Sequence, residues 1–301
     1  MSYQAIMLVL FSSILHAIWN MYSSKYKINI SIFVIGGFFL CSLLLLPLLY
    51  FYDLIVNISL DIYILIIFSS LFQTLYFYTL TLAYKHGDLS IAYPLFRSIP
   101  ILFILIYTYL NNNIHTISNQ AIFGGFLIII ASIILPMKHL KDFKLKNYSS
   151  IMFLYIIFCA IGIAGYSLLD SKGMKLLYQL LKDEDTTILA FIYIYFQMIF
   201  TTIFSAFIVL YQKEERKEFI LVYKNKKLIS FNIFFMMTLS YVLILIAMLY
   251  ATNVSYIIAL RQISIPIAFF LGIFLLKEKV YNIRYLAIFI LTLGLLLNAL
   301  Y

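Results

Sequence analysis

The sequence predicts an all-α membrane protein with ten transmembrane helices, arranged as two inverted-topology repeats of five helices each. Three observations predict this fold class. Hydrophobic residues make up 64% of the 301 residues and charged residues only 11%, whereas a soluble domain carries about 25% charged residues. The apolar residues form blocks of about 20 residues, which is the length of helix that crosses a hydrocarbon core of ~30 Å. One long basic connection divides these blocks into two groups of five.

Ten apolar blocks follow one another along the chain. They cover residues 3–24, 30–52, 61–84, 89–110, 119–137, 151–171, 187–211, 228–250, 254–276 and 283–300. The third and fourth spans are joined so tightly that they must form a helical hairpin, and the same holds for the eighth and ninth. The first block has no basic region before it and carries polar side chains, so it is predicted to be a span and not a cleaved signal peptide.

Basic residues both divide the chain and orient it. The predicted organisation is a first repeat over 1–137, a basic cytoplasmic linker over 138–150 and a second repeat over 151–301; the other long connections are 172–186 and 212–227. Of the 21 lysines and arginines, sixteen fall in connections on one side of the predicted membrane and three on the other. Because lysine- and arginine-rich short loops stay in the cytoplasm, we expect a multi-pass protein of the cytoplasmic membrane with both termini outside the cytoplasm.

The ends of the two halves are similar in sequence. Aligning Pro100 with Pro266 also brings Tyr84 onto Tyr250, although the arginines of the two segments are then two residues out of step. Five spans in each half, an odd number, force the halves into opposite orientations. Inverted repeats of this kind recur in secondary transporters, which bind their substrate at the repeat interface near the membrane midplane.

Two arginines lie inside predicted spans, where a charge costs at least ~2.5–3.5 kcal/mol near the bilayer centre. Arg97 stands between Pro94 and Pro100 in the fourth span, and Arg261 stands shortly before Pro266 in the ninth. A guanidinium group binds carboxylate or phosphate bidentately, so both are predicted to bind an anionic group of a substrate. The alternative is structural: an arginine can extend toward the interface or bond the carbonyls that a proline kink frees. The three prolines are predicted kink or hinge positions.

Other polar and aromatic side chains could line the same cavity. His16, Trp19 and Asn20 have the spacing i, i+3, i+4 and therefore share one face of the first helix; hydrogen bonds between helices, or an interfacial anchor in the case of Trp19, are the alternative interpretations. The remaining candidates are Gln73 and Tyr76 of the third span, Tyr93 beside Arg97, Tyr241 of the eighth span and Gln262 beside Arg261.

Three stretches together resemble the EamA-type carriers of the drug/metabolite transporter superfamily. They are "GDLSIAYPLFRSIPIL", its counterpart "NVSYIIALRQISIPI" with "LLKEK" closing the ninth span, and "LHAIWN" in the first span. The resemblance covers essentially the whole chain and implies a single-chain carrier that works by alternating access. Carriers of this family handle amino acids, choline-like cations, nucleotide sugars or phosphorylated metabolites, so the substrate stays open.

The resemblance also raises the question of energy coupling. The small four-span relatives use a membrane-embedded glutamate for proton exchange. In this sequence no aspartate or glutamate is predicted well inside a span, and Asp170 is placed close to the end of the sixth. We therefore expect no proton coupling through a membrane carboxylate, which leaves His16 as the membrane-embedded side chain that titrates near neutral pH.

The function that these observations favour is secondary transport of a small organic metabolite, anionic or zwitterionic, such as an amino acid or a phosphorylated or amine metabolite. A flippase of lipid-linked substrates is the alternative. Four scattered histidines without paired carboxylates predict neither a metal site nor a catalytic site, so we expect no enzyme activity and no cofactor. The net charge of +9 is a topology signal that predicts no nucleic-acid partner. The expected partners are the small-molecule substrate and the lipid bilayer. The protein is expected to be a monomer or a homodimer.

Overall fold

The computed structural model describes residues 3–110, 119–139, 150–249 and 261–299. These residues are almost entirely helical, and no strand occurs among them. The helices are α1 (Tyr3–Lys25), α2 (Ile30–Leu49), α3 (Tyr52–Val56), α4 (Leu60–His86), α5 (Leu89–Leu110), α6 (Asn119–Ile134), α7 (Ile151–Leu180), α8 (Thr186–Tyr211), α9 (Lys213–Asn225), α10 (Lys227–Leu249), α11 (Ser264–Phe274) and α12 (Asn282–Ala299).

Six of these helices are long and apolar enough to cross a membrane, judged by length and composition: α1, α2, α4, α7, α8 and α10. Shorter apolar helical stretches occur in α5, α6, α11 and α12. Large apolar side chains such as Phe38, Leu46 and Phe207 are exposed on the outer surface of the bundle. A helix whose outer face is this apolar is suited to contact with lipid, since its backbone groups are satisfied internally. The fold is therefore that of a multi-pass helical membrane protein.

Helix boundaries depart from the predicted ones at three places. The second predicted span, 30–52, ends at Leu49, and the short helix α3 follows it. The sixth, 151–171, continues to Leu180, so the predicted connection 172–186 is wrong over most of its length. The predicted connection 212–227 is itself mostly helical, forming α9. The second and third departures share one cause: the hydropathy pattern reports where apolar residues end, and a helix continues beyond that point wherever its backbone stays paired.

Two predicted segments lie partly outside the described residues. The linker 138–150 is described only at its two ends, and the ninth predicted span, 254–276, is described only from Arg261 onward. Tyr250, which the repeat alignment matches to Tyr84, also lies outside the described residues. The predicted division into repeats at this linker therefore stays a prediction.

Glycines set the closest helix contacts. A Cβ at Gly162 of α7 would lie 2.8 Å from the carbonyl oxygen of Phe72 and 2.8 Å from the amide nitrogen of Tyr76, both on α4. A Cβ at Gly294 of α12 would lie 2.7 Å from the carbonyl oxygen of Gly124 on α6. Small residues let helix backbones approach this closely in membranes, where van der Waals packing drives association. The α4–α7 and α6–α12 pairs are thus held backbone to backbone.

The remaining helices complete a bundle around a polar interior. α1 packs against α10 and α11, α2 against α8 and α10, α4 against α8, and α5 against α7 and α11. Ser12 of α1 donates to the carbonyl oxygen of Ser240 on α10 at 2.6 Å, one of several side-chain bonds that join helices distant in sequence. The inward faces of α1, α4, α5, α7, α8 and α10 enclose the polar residues considered below.

The sequence "LLKEK" has a structural role at the start of α5. Glu278 accepts hydrogen bonds from the backbone amides of Leu89 at 2.8 Å and Ser90 at 2.9 Å. These are the amides at a helix N-terminus, which have no partner within the helix and carry its positive dipole end. A carboxylate from the far end of the chain therefore stabilises the helix that carries Arg97.

Candidate functional site

A small cavity of about 50 Å³ lies between α1, α4, α7, α8, α10 and Arg261. Six of the predicted site residues line it: His16, Trp19, Gln73, Tyr76, Tyr241 and Arg261. Sequence reasoning missed further lining residues, among them Tyr166 and Gln197. Both belong to helices, α7 and α8, whose spans carry many similar residues, and nothing in the sequence pattern marks them. A volume of this size holds roughly one or two water molecules.

The polar face of α1 is partly bonded and partly free. Trp19 Nε1 donates to His16 Nδ1 at 3.2 Å, which fixes the imidazole with its other nitrogen toward the interior. His16 Nε2 is buried and has no hydrogen-bond partner among the described residues. Asn20 does not line the cavity: its side chain donates to the carbonyl oxygen of His16 at 2.8 Å and accepts from the Tyr84 hydroxyl at 2.8 Å. This geometry fits the helix-to-helix interpretation of Asn20.

Arg97 lies beside this cavity and not on its lining. It is buried, and its Nε has no hydrogen-bond partner among the described residues. Arg97 and Arg261 both interact electrostatically with His16, Tyr93 and Tyr166. The two arginines also repel one another electrostatically. Neither arginine forms a salt bridge within the described part of the chain.

Arg97 is buried and Arg261 is half-buried, and two such cations without a counter-ion are costly in an apolar interior, because desolvation is not offset by a paired charge. Arg261 gains some compensation from the Tyr241 ring, whose centroid lies 5.8 Å from its Cζ, a distance within cation–π range. Arg97 gains some from the neighbouring Tyr93 hydroxyl, with which it interacts. These aromatic groups reduce the cost of burial but bring no negative charge, so both guanidinium groups lack a counter-ion among the described residues.

Two other predicted residues lie near the arginines without lining the cavity. Tyr93 donates to Ser264 Oγ at 3.0 Å, and its ring centroid lies 6.1 Å from that of His16. Tyr93 thus joins α5 to α11 beside the cavity. Gln262 is buried, and its Oε1 has no partner among the described residues.

The prolines differ in their effect on the helix. α5 runs through Pro94 and Pro100 without interruption, although each removes a donor to the carbonyl four residues earlier. By contrast, regular helix is interrupted at Gln262 and Ile263, shortly before Pro266. The carbonyl oxygen of Gln262 accepts instead from the Ile265 amide at 2.9 Å, because Pro266 has no amide hydrogen to offer. Whether any of the three acts as a hinge stays a prediction.

The prediction that no carboxylate lies well inside a span is wrong. Asp170 is buried, with 5% of its surface exposed, and α7 continues for ten residues beyond it. Its Oδ1 accepts from Ser69 Oγ and from the Tyr193 hydroxyl at 3.0 Å, and its Oδ2 accepts from Gln197 Nε2 at 2.8 Å. A Cβ at Gly173 would lie 2.5 Å from the Tyr193 oxygen, so this glycine leaves room for the tyrosine.

This group, which we call the Asp170 network, consists of Asp170, Ser69, Tyr193 and Gln197. Ser69 is the tenth residue of α4 and Gln197 the twelfth of α8, so the carboxylate lies about 14–17 Å along those helices. Gln197 also lines the central cavity, which connects the network to it. The serines and threonines of α4 are the signal that the sequence offers for this network. Serine side chains, however, occur on many spans, where they bond the backbone of their own helix.

The cavity presents cationic, amide and aromatic groups, and within the described part of the chain no three histidine, cysteine, aspartate or glutamate side chains come together as a metal site. Comparison of the sequence with models of known protein families and with curated proteins gives no match.

Proposed function

We propose that this protein is a secondary transporter of the EamA type, which moves a small anionic or zwitterionic organic metabolite across the cytoplasmic membrane by alternating access. The observation that carries the proposal is the pair Arg97 and Arg261. They come from opposite halves of the chain, Arg261 lines the central cavity and Arg97 lies beside it, and neither has a counter-ion among the described residues. A guanidinium pair in this setting favours a carboxylate or phosphate ligand.

Ten membrane spans are part of the proposal. The six long apolar helices and the four shorter apolar ones overlap the ten predicted spans one for one. The ninth is described only from Arg261 onward, and α11 begins after the interruption at Gln262 and Ile263. The resemblance of the sequence to EamA-type carriers supports the same number.

The helix contacts support two inverted repeats. If span n of the first half corresponds to span n+5 of the second, exchanging the halves should also exchange the contacts. The α4–α7 contact then becomes α1–α10, α5–α7 becomes α1–α11, and α4–α8 becomes α2–α10, all of which occur. The pairs α2–α8, α5–α11 and α6–α12 exchange with themselves and also occur. In a bundle without internal symmetry, helix contacts are not expected to occur in such matched sets.

The size of the cavity supports alternating access. At about 50 Å³ it has no room for a metabolite, so binding requires the surrounding helices to separate. A site that is closed in one conformation and opened by relative motion of the two halves is what a carrier of this architecture needs. The arginines of the two halves would then bind one substrate only when the halves are correctly placed.

A ligand screen tests the proposal. The purified protein is heated with amino acids, amines and phosphorylated metabolites, and a specific ligand should raise the melting temperature by mass action. The best stabiliser is then tested for uptake into proteoliposomes. Stabilisation by anionic or zwitterionic compounds with matching uptake supports the carrier. A ligand that binds equally well when both arginines are replaced by alanine would exclude the proposed site.

The proposed orientation has a separate test. With both termini outside, a carboxy-terminal fusion to a reporter that works only in the cytoplasm should be inactive. The same reporter placed after residue 146, in the basic linker, should be active and serves as the control. An active reporter at Tyr301 would reverse the orientation inferred from the sixteen-to-three distribution of basic residues.

A flippase is the second candidate, and one observation favours it. An apolar cavity of about 500 Å³, lined among others by Phe51, Met174, Phe191 and Val242, adjoins the central cavity at Ile194. It could receive an acyl chain while the arginines bind a headgroup. Transbilayer movement of a fluorescent phospholipid in proteoliposomes tests this. Movement that Ile194→Trp abolishes would favour the flippase, and its absence beside metabolite uptake would favour the carrier.

A further inference from the structure

We infer that Asp170 is a proton-binding site, and that its ionisation state decides whether α4 stays joined to α7 and α8. Proton binding and helix contact are coupled because the three other members of the Asp170 network all donate to this one carboxylate. Ser69 comes from α4, and Tyr193 and Gln197 come from α8. A single proton therefore acts on three helices at once.

In its ionised form the carboxylate is well satisfied. Oδ1 accepts from Ser69, Tyr193 and Gln197, and Oδ2 accepts from Gln197. Gln197 Nε2 donates to Ser69 Oγ as well, at 2.9 Å, so that the donors are held in place by one another. Hydrogen bonds to an ionised acceptor are stronger than neutral ones. They tie α4, of the first half, to α7 and α8, of the second.

Protonation removes this arrangement. One proton from water converts the carboxylate to a carboxylic acid, and its O–H turns one acceptor into a donor. If the proton adds to Oδ2, that O–H faces the amide hydrogens of Gln197, and two donors cannot bond each other. The Gln197 amide must turn away or rotate to present its oxygen, which breaks its Nε2 bonds to the carboxyl group and to Ser69, and the bonds that remain at Oδ1 become bonds to a neutral acceptor. The contact between α4 and the second half is weakened.

A proton fits this site better than a metal ion does. All three partners present hydrogens to the carboxylate, whereas a cation requires oxygen lone pairs. Asp170 has no salt bridge within the described part of the chain. An unpaired carboxylate in a membrane interior is costly, and taking up a proton is the change that neutralises it without another side chain.

The surroundings connect the site to the arginines. Asp170 interacts electrostatically with three ionisable side chains: Tyr193 of α8, Tyr166 of α7 and Tyr241 of α10. Arg261 acts on Tyr166 and Tyr241, and Arg97 of α5 acts on Tyr166. On α4, the ring centroid of Tyr76 lies 6.1 Å from that of Tyr166. Gln197, which bonds Asp170 and also lines the cavity, connects proton uptake at Asp170 to the cavity.

For the proposed carrier this inference assigns the proton as coupling ion, and in that use it rests on the proposed function. A proton that loosens α4 from α7 and α8 changes the contact between the two halves, which is the contact that alternating access must break. The site itself can be tested without transport. Failure of the proton site would leave the carrier proposal standing, and failure of the ligand screen would leave the proton site standing.

The first measurement is proton binding. An infrared titration of the purified protein should show the band of a protonated buried carboxyl group as the pH falls. Asp170→Asn should remove this band, and Glu215→Gln, at another buried carboxylate, should leave it. If Asp170→Asn fails to fold, Ser69→Ala serves instead: the band should appear at higher pH, because one bond to the ionised form is gone. A band that neither variant changes overturns the proposal.

The second measurement is the separation of α4. Cys41 and Cys159 are replaced by serine and Ser70→Cys is introduced, because Ser70 is buried next to Ser69 and does not bond Asp170. Labelling with N-ethylmaleimide should become faster as the pH falls, although thiol chemistry alone slows it by about tenfold per pH unit. Asp170→Asn should be labelled fast at every pH. If labelling only slows on acidification, and does so equally in the protein with Asp170 and in the Asp170→Asn variant, then protonation does not separate α4 from α7 and α8.

Discussion

Two buried polar regions of this protein, less than one helix length apart, are satisfied to different degrees. At the central cavity, Arg97 Nε and His16 Nε2 have no partner among the described residues. In the Asp170 network both carboxylate oxygens accept hydrogen bonds. A buried group that lacks a partner costs free energy that a ligand can recover, whereas a satisfied one contributes to the fold itself. The first region therefore suits binding, and the second suits holding helices together.

The sign of the charge explains the difference. A guanidinium group has five donors and needs acceptors, but the backbone carbonyls of helices are already used within the helix. A carboxylate needs donors, and hydroxyl and amide side chains such as Ser69 and Gln197 supply them readily. Helical membrane interiors can thus satisfy a buried anion from their own residues more easily than a buried cation.

The largest effect is expected for stability when Asp170 is replaced by alanine. Ser69, Tyr193 and Gln197 would lose their common acceptor, and each unpaired buried group costs about 1–3 kcal/mol. We expect the free energy of unfolding of the empty protein to fall by about 3 kcal/mol or more, measured by thermal unfolding. Asp170→Asn keeps one acceptor and should cost less. An alanine variant as stable as the original would show that the network does not hold the helices.

Arg97→Ala should show the opposite behaviour. We expect the affinity for the best ligand of the thermal-shift screen to fall by about 2 kcal/mol, roughly 30-fold, because truncating one partner of a buried charge pair costs at least this much. The stability of the empty protein should change little. Arg97→Lys should lie between the two, since lysine keeps the charge but not the planar fork.

The control for this prediction is Arg216→Ala, at an exposed arginine of α9, which should leave both quantities unchanged. A lower melting temperature of the empty Arg97→Ala protein, with unchanged affinity per folded molecule, would make Arg97 structural. The two buried regions would then have the same role, and the comparison between them would fail.

A third effect concerns the α4–α7 contact that joins the two regions. Gly162→Ala places a methyl group against the backbone of Phe72 and Tyr76, which cannot move aside, so we expect a loss of about 1–3 kcal/mol. At Gly165 the nearest atoms belong to the Phe72 ring, which can rotate, and Gly165→Ala should cost less. Thermal unfolding of both variants measures the difference. Equal costs would show that backbone contact does not limit this interface.

The smallest effect is expected at Glu215, on α9 outside the spans. Burial raises the pKa of Glu215, and the Lys85 ammonium, 3.6 Å from its Oε1, lowers it less than burial raises it. The folded state then binds this proton more tightly than the unfolded state, so the stability contribution is present at low pH and is lost as the pH rises through the folded-state pKa. Glu215→Gln should reduce this loss, by up to about 1 kcal/mol.

Its control is Glu214→Gln, at an exposed glutamate of the same helix, which should not change the pH dependence of the melting temperature. Glu215 thus completes the comparison: near water and a lysine, a buried carboxylate has little effect on stability, while in the middle of the bundle Asp170 has a large one. Equal pH dependence in the Glu215→Gln and Glu214→Gln variants would contradict the role given to burial at this position.

Part of the candidate site could be predicted from the sequence. The polar face of His16 and Trp19 follows from helical spacing, and both residues line the cavity. Arg97 and Arg261 stand out because a charge in an apolar block is rare. Asp170 is predicted near the end of its span, 151–171, and Lys172 and Lys175 follow it. These lysines are exposed, whereas Gly173 and Leu177 between and after them are buried, so this end of α7 is amphipathic and remains packed.

The sequence by itself determined the helical class of the protein and the positions of its apolar helices, because the thickness of the bilayer fixes how many apolar residues a helix needs. It could not determine how deeply a polar side chain is buried or which side chains it bonds. Whether Asp170 is buried depends on Ser69, Tyr193 and Gln197, which lie 23 to 101 residues away along the chain. Only the tertiary packing decides which polar side chains find partners, since hydrogen bonding depends on distances of a few ångströms that hydropathy does not encode.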